Sequence, residues 1–247
     1  MYARARRQLL LFDFDGVIID SQSLMRFAFA ESCARCGVQR APSVEQFLRY
    51  MGMPLPRIAE LLGLPEEFVR VYQGLSRDHM DRVGLYPGAT QLLSTGTRRF
   101  RRLGLITGKD RRRTQLLLER FGLSGAFDAV VCGDDKYPGK PDPAAVVALR
   151  ERFDASPAGT LMIGDSAIDI RCARSAGVMG LGAAWGFGTH EELEQAGADL
   201  IFGSPHTLRA WLGLTEWPNH QSRAWVRMNK QTERTGNQWT SWQSMAD

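Results

Sequence analysis

Apolar residues in this chain fall into short, nearly unbroken runs, with longer stretches of helical spacing between them. Six runs read as strands: 8–13 (QLLLFD), 102–107 (RLGLIT), 127–132 (FDAVVC), 160–164 (TLMIG), 178–183 (VMGLGA) and an edge run at 198–202 (ADLIF). Helical patterns lie near 88–99, 110–121, 142–153, 167–176 and 189–196. A strand covered on both faces has no reason to alternate polar with apolar residues. Continuous apolar strands alternating with helices therefore predict an α/β fold, a Rossmann-like parallel sheet with helices on both faces.

Residues 20–85 break the alternation. They carry helical patterns such as SLMRFAFAESCARCG and PRIAELLGL, prolines at 42, 54, 56 and 65, and no convincing strand. The pattern predicts an α-helical cap over 20–85 inserted into a core formed by 1–19 and 86–214, with Tyr86-Pro87-Gly88 marking the return. From Thr215 to Asp247 the chain turns polar and aperiodic. That tail holds four of the six tryptophans (Trp217, Trp225, Trp239 and Trp242). Its composition suits either disorder or docking onto the body or a partner.

With 247 residues, 44% of them hydrophobic, the chain can bury a sizeable core as one domain with an insert. No apolar stretch approaches the length of a membrane span, and the run after the basic MYARARRQ is too short for a signal-peptide core. A cytoplasmic protein with no membrane partner is expected. Cys33 and Cys36 form a C-x-x-C with no second pair, and their spacing fits one helix face, so all four cysteines read as packed thiols. The net charge of +4 comes from 27 arginines and only four lysines, clustered in TRRFRRLGLITGKDRRRTQ at 97–115. The cluster lacks interleaved aromatics, so nucleic acid is not expected as a partner. It reads as a solvated face, with a positive field around a site for small anions as the second reading.

The first strand ends in two aspartates, Asp13 and Asp15. Residues two apart on a strand face the same side, so both carboxylates can line one pocket. Their mutual repulsion calls for an offset, which a divalent cation with a preference for hard oxygen ligands supplies. The same cation would hold a phosphate. One aspartate could then attack phosphorus while the other moves a proton. Three further stations follow, each at a strand end or in the loop beyond it. Thr107-Gly108 offers a hydroxyl and free backbone N–H groups to phosphate oxygens. Lys140, in PGKPDP, could neutralise charge. Asp165 and Asp169, in MIGDSAIDI, suit a metal ligand and either a second ligand or an anchor.

The set DFDGV, LITG, GKPDP and GDSAID resembles, in order, the four motifs of the haloacid dehalogenase superfamily of phosphotransferases, over residues 8 to about 212. The resemblance implies a Rossmann-like core with a small helical cap and Mg2+-dependent phosphoryl transfer through an aspartyl-phosphate. It makes Asp13 the nucleophile and Asp15 the general acid/base, has Thr107 bind the phosphoryl group, and has Lys140 balance charge. The Mg2+ ligands it implies are Asp13, Asp15 through its backbone carbonyl, and Asp165, with Asp169 in support. Within the superfamily, the presence of Asp15 argues against a dehalogenase. The absence of lysine from 20–85 argues against a Schiff-base phosphonate hydrolase, and Met25 stands where phosphoglucomutases carry a cap histidine. The chain looks like the phosphoglycolate phosphatase/β-phosphoglucomutase-like branch with its small cap. In overall texture it is also similar to phosphatases associated with 3-amino-5-hydroxybenzoate biosynthesis.

The expected function is a phosphatase acting on a small phosphate monoester, a sugar phosphate or a phosphorylated biosynthetic intermediate, as a monomer or homodimer. Arg49, in RYMGMPLPRI, is a candidate contact for an anionic or polar group of the substrate, and Ser21 for lining the hinge or binding substrate. The alternatives are a phosphosugar mutase and a non-catalytic module that binds a phosphorylated ligand or a protein.

Overall fold

A computed structural model describes residues 7–213; the tail read at 215–247 lies outside the described residues. In chain order, β1 (Arg7–Phe12) is followed by β2 (Ile19–Asp20), α1 (Gln22–Arg35), α2 (Val44–Leu48), α3 (Leu55–Leu61), α4 (Glu66–Asp78) and β3 (Gly84–Leu85). Strict alternation then begins: α5 (Ala89–Arg99), β4 (Phe100–Ile106), α6 (Arg111–Arg120), β5 (Ala129–Val131), α7 (Ala144–Arg152), β6 (Thr160–Gly164), α8 (Ala167–Ser175), β7 (Met179–Ala183), α9 (His190–Ala196), β8 (Leu200–Phe202) and α10 (Pro205–Gly213).

Six strands pair in parallel in the order β5-β4-β1-β6-β7-β8. Both faces of β1 are buried, which explains its unbroken LLLF. Leu9 and Leu11 pack under α7 and α8 with Val146, Leu149, Met162 and Ala173. Leu10 points to the other face, where Gly96 of α5 lets helix and strand approach closely. From β1 the chain runs outward through β4 and β5, then returns to the far side of β1 and runs outward again through β6, β7 and β8. The connections reverse direction at β1, so a crevice opens at the carboxyl ends of β1, β4 and β6.

The four helices α1–α4 share a separate apolar cluster. Phe47 stacks on Phe29 at 4.6 Å between centroids and lies edge-on to Phe68 at 6.3 Å, with Tyr72 at 5.5 Å. Two features depart from the sequence reading. Ile19–Asp20 and Gly84–Leu85 pair antiparallel, at the ends of a segment read as free of strands. The helix α10 follows the last strand, burying Leu208, Trp211 and Leu212. Two residues are too few to show a period, and α10 is a nine-residue helix beginning at a proline. No helix among the described residues is long and apolar enough to cross a membrane.

Candidate active site

The site is assembled where the chain leaves three neighbouring strands. Beyond β1, the Asp13 N–H still donates to Ile163 O at 2.8 Å, so the strand direction carries this side chain to the sheet's edge. Thr107 is held in the same way after β4, by its N–H on Val131 O at 3.0 Å. Asp165 follows β6 directly. Ser166 then caps α8 through a capping box with Asp169, whose Oδ2 accepts from the Ser166 hydroxyl at 2.6 Å.

Lys140 ties these stations together. Its ammonium donates to Asp13 Oδ1 at 2.7 Å, Asp169 Oδ1 at 2.6 Å and Ile106 O at 3.1 Å. All three N–H groups are thereby spent on protein acceptors. Burial alone would lower the Lys140 pKa, but Asp13 and Asp169 outweigh it and hold the group well above its usual range. The carboxylates show the opposite imbalance. Burial pushes Asp13 up to about 7 despite Lys140, with Asp169 and Asp15 adding to the rise. Burial, then Asp169 and Asp13, push Asp165 well above the carboxylate range.

Asp165 is fixed from a loop beyond β7. The Phe187 N–H donates to its Oδ2 at 2.7 Å, and the Gly188 N–H to its carbonyl at 3.0 Å. Trp185 Nε1 of the same loop donates to Val17 O at 3.2 Å, while the Phe187 ring packs against the aromatic cluster of α1–α4. Space around this carboxylate is nil. A Cβ on Gly16, whose φ is +80°, would fall 1.9 Å from Asp165 Oδ2, and one on Gly186 would fall 2.4 Å from the same atom.

Asp13, Asp165 and Asp169 offer carboxylate oxygens within 4.8 Å of one another, all buried. Three carboxylates against one ammonium leave an excess of negative charge, which adds to burial in raising Asp13 and Asp165. An all-oxygen donor set with that excess fits a hard divalent cation such as Mg2+.

Asp15, two residues after Asp13, has partners of its own. Its Oδ1 accepts from the Ser21 hydroxyl at 2.5 Å and faces Lys109 Nζ at 3.1 Å. Ser21 is thus fully buried against a carboxylate, rather than lining an open surface. Sequence reasoning passed over Lys109. It is the third residue of Thr107-Gly108-Lys109 at a strand end, and one of only four lysines in the chain. The arginines on both sides hid that signal. Burial draws its pKa down, opposed by Asp15. Beside it, Asp110 caps α6 by accepting from the Arg113 N–H at 2.9 Å, and its Oδ2 pairs with Arg113 Nε at 2.5 Å. The Arg113 guanidinium lies 5.6 Å from the centre of the Tyr72 ring of α4.

Arg49 is exposed at the C-terminal end of α2. The cap residue carried over the carboxylates is Gly52, three positions later. A Cβ there would sit 3.5 Å from Asp169 Oδ1 and Ser166 Oγ. The adjoining backbone is seated equally closely. A Cβ on Gly108 would meet Met53 O at 2.2 Å, and one on Gly139 would meet Pro54 Cδ at 2.0 Å. With the cap so placed, Asp13 is 3% and Asp15 7% exposed.

Comparisons with known proteins agree with this architecture. A family model described as haloacid dehalogenase-like hydrolase matches residues 10–183. A phosphoglycolate phosphatase of Rhodospirillum rubrum is 29% identical over 223 residues, covering 84% of this chain and 91% of that protein. A protein of Dickeya dadantii named probable phosphatase IndB is 29% identical over 205 residues, covering 79% and 89%. The structure of a haloacid dehalogenase-like hydrolase from Bacteroides fragilis superposes with a TM-score of 0.74 at 26% identity, covering 82% of this chain and all of that one. The family match spans the first strand, the helical insert and the strand ends that carry the buried carboxylates, and the chain belongs to the haloacid dehalogenase-like hydrolases.

Proposed function

We propose that this hydrolase is a Mg2+-dependent phosphatase that cleaves a small phosphate monoester through an aspartyl-phosphate on Asp13. The observation that carries the reading is the buried cluster in which Asp13 shares Lys140 with Asp169, beside Asp165 and one residue from Asp15. Relatives named phosphoglycolate phosphatase and probable phosphatase support a small substrate.

In the first half-reaction a carboxylate oxygen of Asp13 attacks phosphorus and the bond from phosphorus to the ester oxygen breaks. Asp15 gives its proton to that oxygen, and the alcohol leaves. In the second half-reaction Asp15 takes a proton from water, the water oxygen attacks phosphorus, and the bond to Asp13 breaks to release phosphate. Lys140 restrains Asp13 and offsets its charge, while the Thr107 hydroxyl and the N–H groups beyond it receive phosphoryl oxygens. Asp13, the Asp15 carbonyl and Asp165 would hold the Mg2+, with Asp169 in support through Lys140; when bound, the ion supplies positive charge to the transferred group. Met25, buried in the cap cluster, offers no acid or base where a mutase would use one.

The test is phosphate release from sugar phosphates, phosphoglycolate, nucleotides and an aryl phosphate, with Mg2+ and with EDTA. We expect Mg2+-dependent release that falls about a thousandfold or more in Asp13→Asn while the fold persists. Turnover by Asp13→Asn at the wild-type rate would reject the mechanism. Tight ligand binding with no release from any ester would favour the non-catalytic module instead.

A further inference from the structure

The three carboxylates of the buried cluster are held by different means. Asp13 and Asp169 are gripped by side chains, the Lys140 ammonium on both and the Ser166 hydroxyl on Asp169. Asp165 has no side-chain hydrogen-bond partner among the described residues. Its Oδ2 accepts from the Phe187 N–H at 2.7 Å, and its carbonyl accepts from the Gly188 N–H at 3.0 Å. Its Oδ1 accepts no hydrogen bond among the described residues, which leaves that oxygen for a cation. The orientation of Asp165 therefore depends on where the main chain of this loop sits.

That main chain is Gly186-Phe187-Gly188, one side chain between two glycines. Glycine gives up more conformational freedom on folding than any other residue, so such a tripeptide needs an anchor to hold one course. The glycines cannot supply it. A Cβ on Gly186 would fall 2.4 Å from Asp165 Oδ2, and one on Gly188 would fall 2.3 Å from the Asp165 carbonyl oxygen. On either side the core supplies anchors. The Ala184 N–H donates to Phe202 O at 2.9 Å, Trp185 Nε1 donates to Val17 O at 3.2 Å, and Thr189 caps α9 in a capping box with Glu192. Between these anchors the Phe187 ring turns to the cap instead. Among the described residues it is the one hydrophobic side chain from outside 20–85 that packs against the apolar cluster of α1–α4.

Resting on the Mg2+ reading, we propose that Phe187 is a positioning residue whose ring, anchored in the cap, fixes the N–H that orients Asp165, so that the cap tunes the affinity for the cation without supplying a ligand. Loss of a group that orients a metal ligand costs about ten- to a hundredfold in metal affinity. Deleting the ring loosens the orienting N–H but does not remove it, so the low end of that range applies.

The experiment is a Mg2+ titration of the full chain without substrate, read by calorimetry and by the rise in melting temperature. It uses the wild type, Phe187→Ala, Phe187→Leu and Phe27→Ala. Phe187→Ala keeps the N–H and deletes the anchor. Phe27 is the matched control, a half-buried ring on the same cluster whose own partners are His79 and Arg82. We expect Phe187→Ala to weaken Mg2+ binding about tenfold, Phe187→Leu to recover most of that loss, and Phe27→Ala to bind as the wild type does. Wild-type affinity in Phe187→Ala, even with a lower melting temperature, would make the ring a packing contact only and overturn the inference. Equal weakening by Phe27→Ala would also overturn it, because any loosening of the cap would then suffice. A wild type that binds no Mg2+ overturns the inference too. If its phosphate release still required Mg2+, the phosphatase reading would stand alone; if it did not, the cation reading would fall as well.

Discussion

The carboxylate-bearing end of the sheet and the cap above it are stabilised by opposite means. At the sheet end, Asp13, Lys140, Asp165 and Asp169 are almost wholly buried and depend on one another for charge balance. In the cap, Phe29, Phe47, Phe68 and Tyr72 hold four helices together by aromatic packing, and the ion pairs at its surface, such as Arg26 with Glu45, are exposed. Charge fixed at the sheet end acts most strongly where bulk solvent is kept away. The cap covers the site from bulk solvent with the closely seated backbone of Gly52–Pro54, and among the described residues it lends no charged side chain to the carboxylate cluster. The contrast predicts that the carboxylate cluster and its cover can be perturbed separately.

Removing the shared cation should have the largest effect. Lys140→Met would leave Asp13 and Asp169 buried without a counter-charge, and we expect a loss of about 3–5 kcal/mol in chemical denaturation together with loss of turnover. Unchanged stability would show that the carboxylates do not depend on that cation, and the contrast with the cap would collapse. Phe47→Ala removes a ring with 0% exposure from the centre of the cap cluster, and should cost about 3 kcal/mol. If the two regions are separable, that loss appears in hydrogen exchange of α1–α4 while β1, β4 and β6 stay protected. Uniform deprotection would mean they unfold as one. Gly108→Ala probes the seam itself. Its methyl would collide with Met53 O, so the cap backbone must lift. We expect kcat/KM to fall about tenfold or more with a melting temperature shift of only a few degrees. Full activity would show that the Gly52–Pro54 backbone need not be seated for turnover.

Much of the fold was legible because buried parallel strands advertise themselves as unbroken apolar runs. QLLLF, RLGLI and TLMIG each fall on a central strand of the sheet. The elements missed were those without a period to read: the two-residue β2 and β3, and the short α10. At the site, Asp13, Thr107, Lys140 and Asp165 could be picked out because each stands at the end of such a run or in the loop after it, and Asp169 because it follows Asp165 by one helical turn, in α8. Lys109 met the same condition but was submerged in a stretch rich in arginine. Arg49 drew attention because it is charged, whereas the cap's closest approach to the carboxylates is made by Gly52, which has no side chain to notice. Contacts made by backbone alone leave no trace in residue chemistry.

The crowding around Asp165 bears on how such a protein can diverge. Gly16 and Gly186 press so closely on that carboxylate that neither accepts even a methyl group without displacing it. Substitution at these positions is therefore closed to gradual drift. An aromatic cluster, by contrast, tolerates exchanges that conserve volume at modest cost. Change on this scaffold is accordingly easier in the aromatic packing of the cap than beside the buried carboxylate.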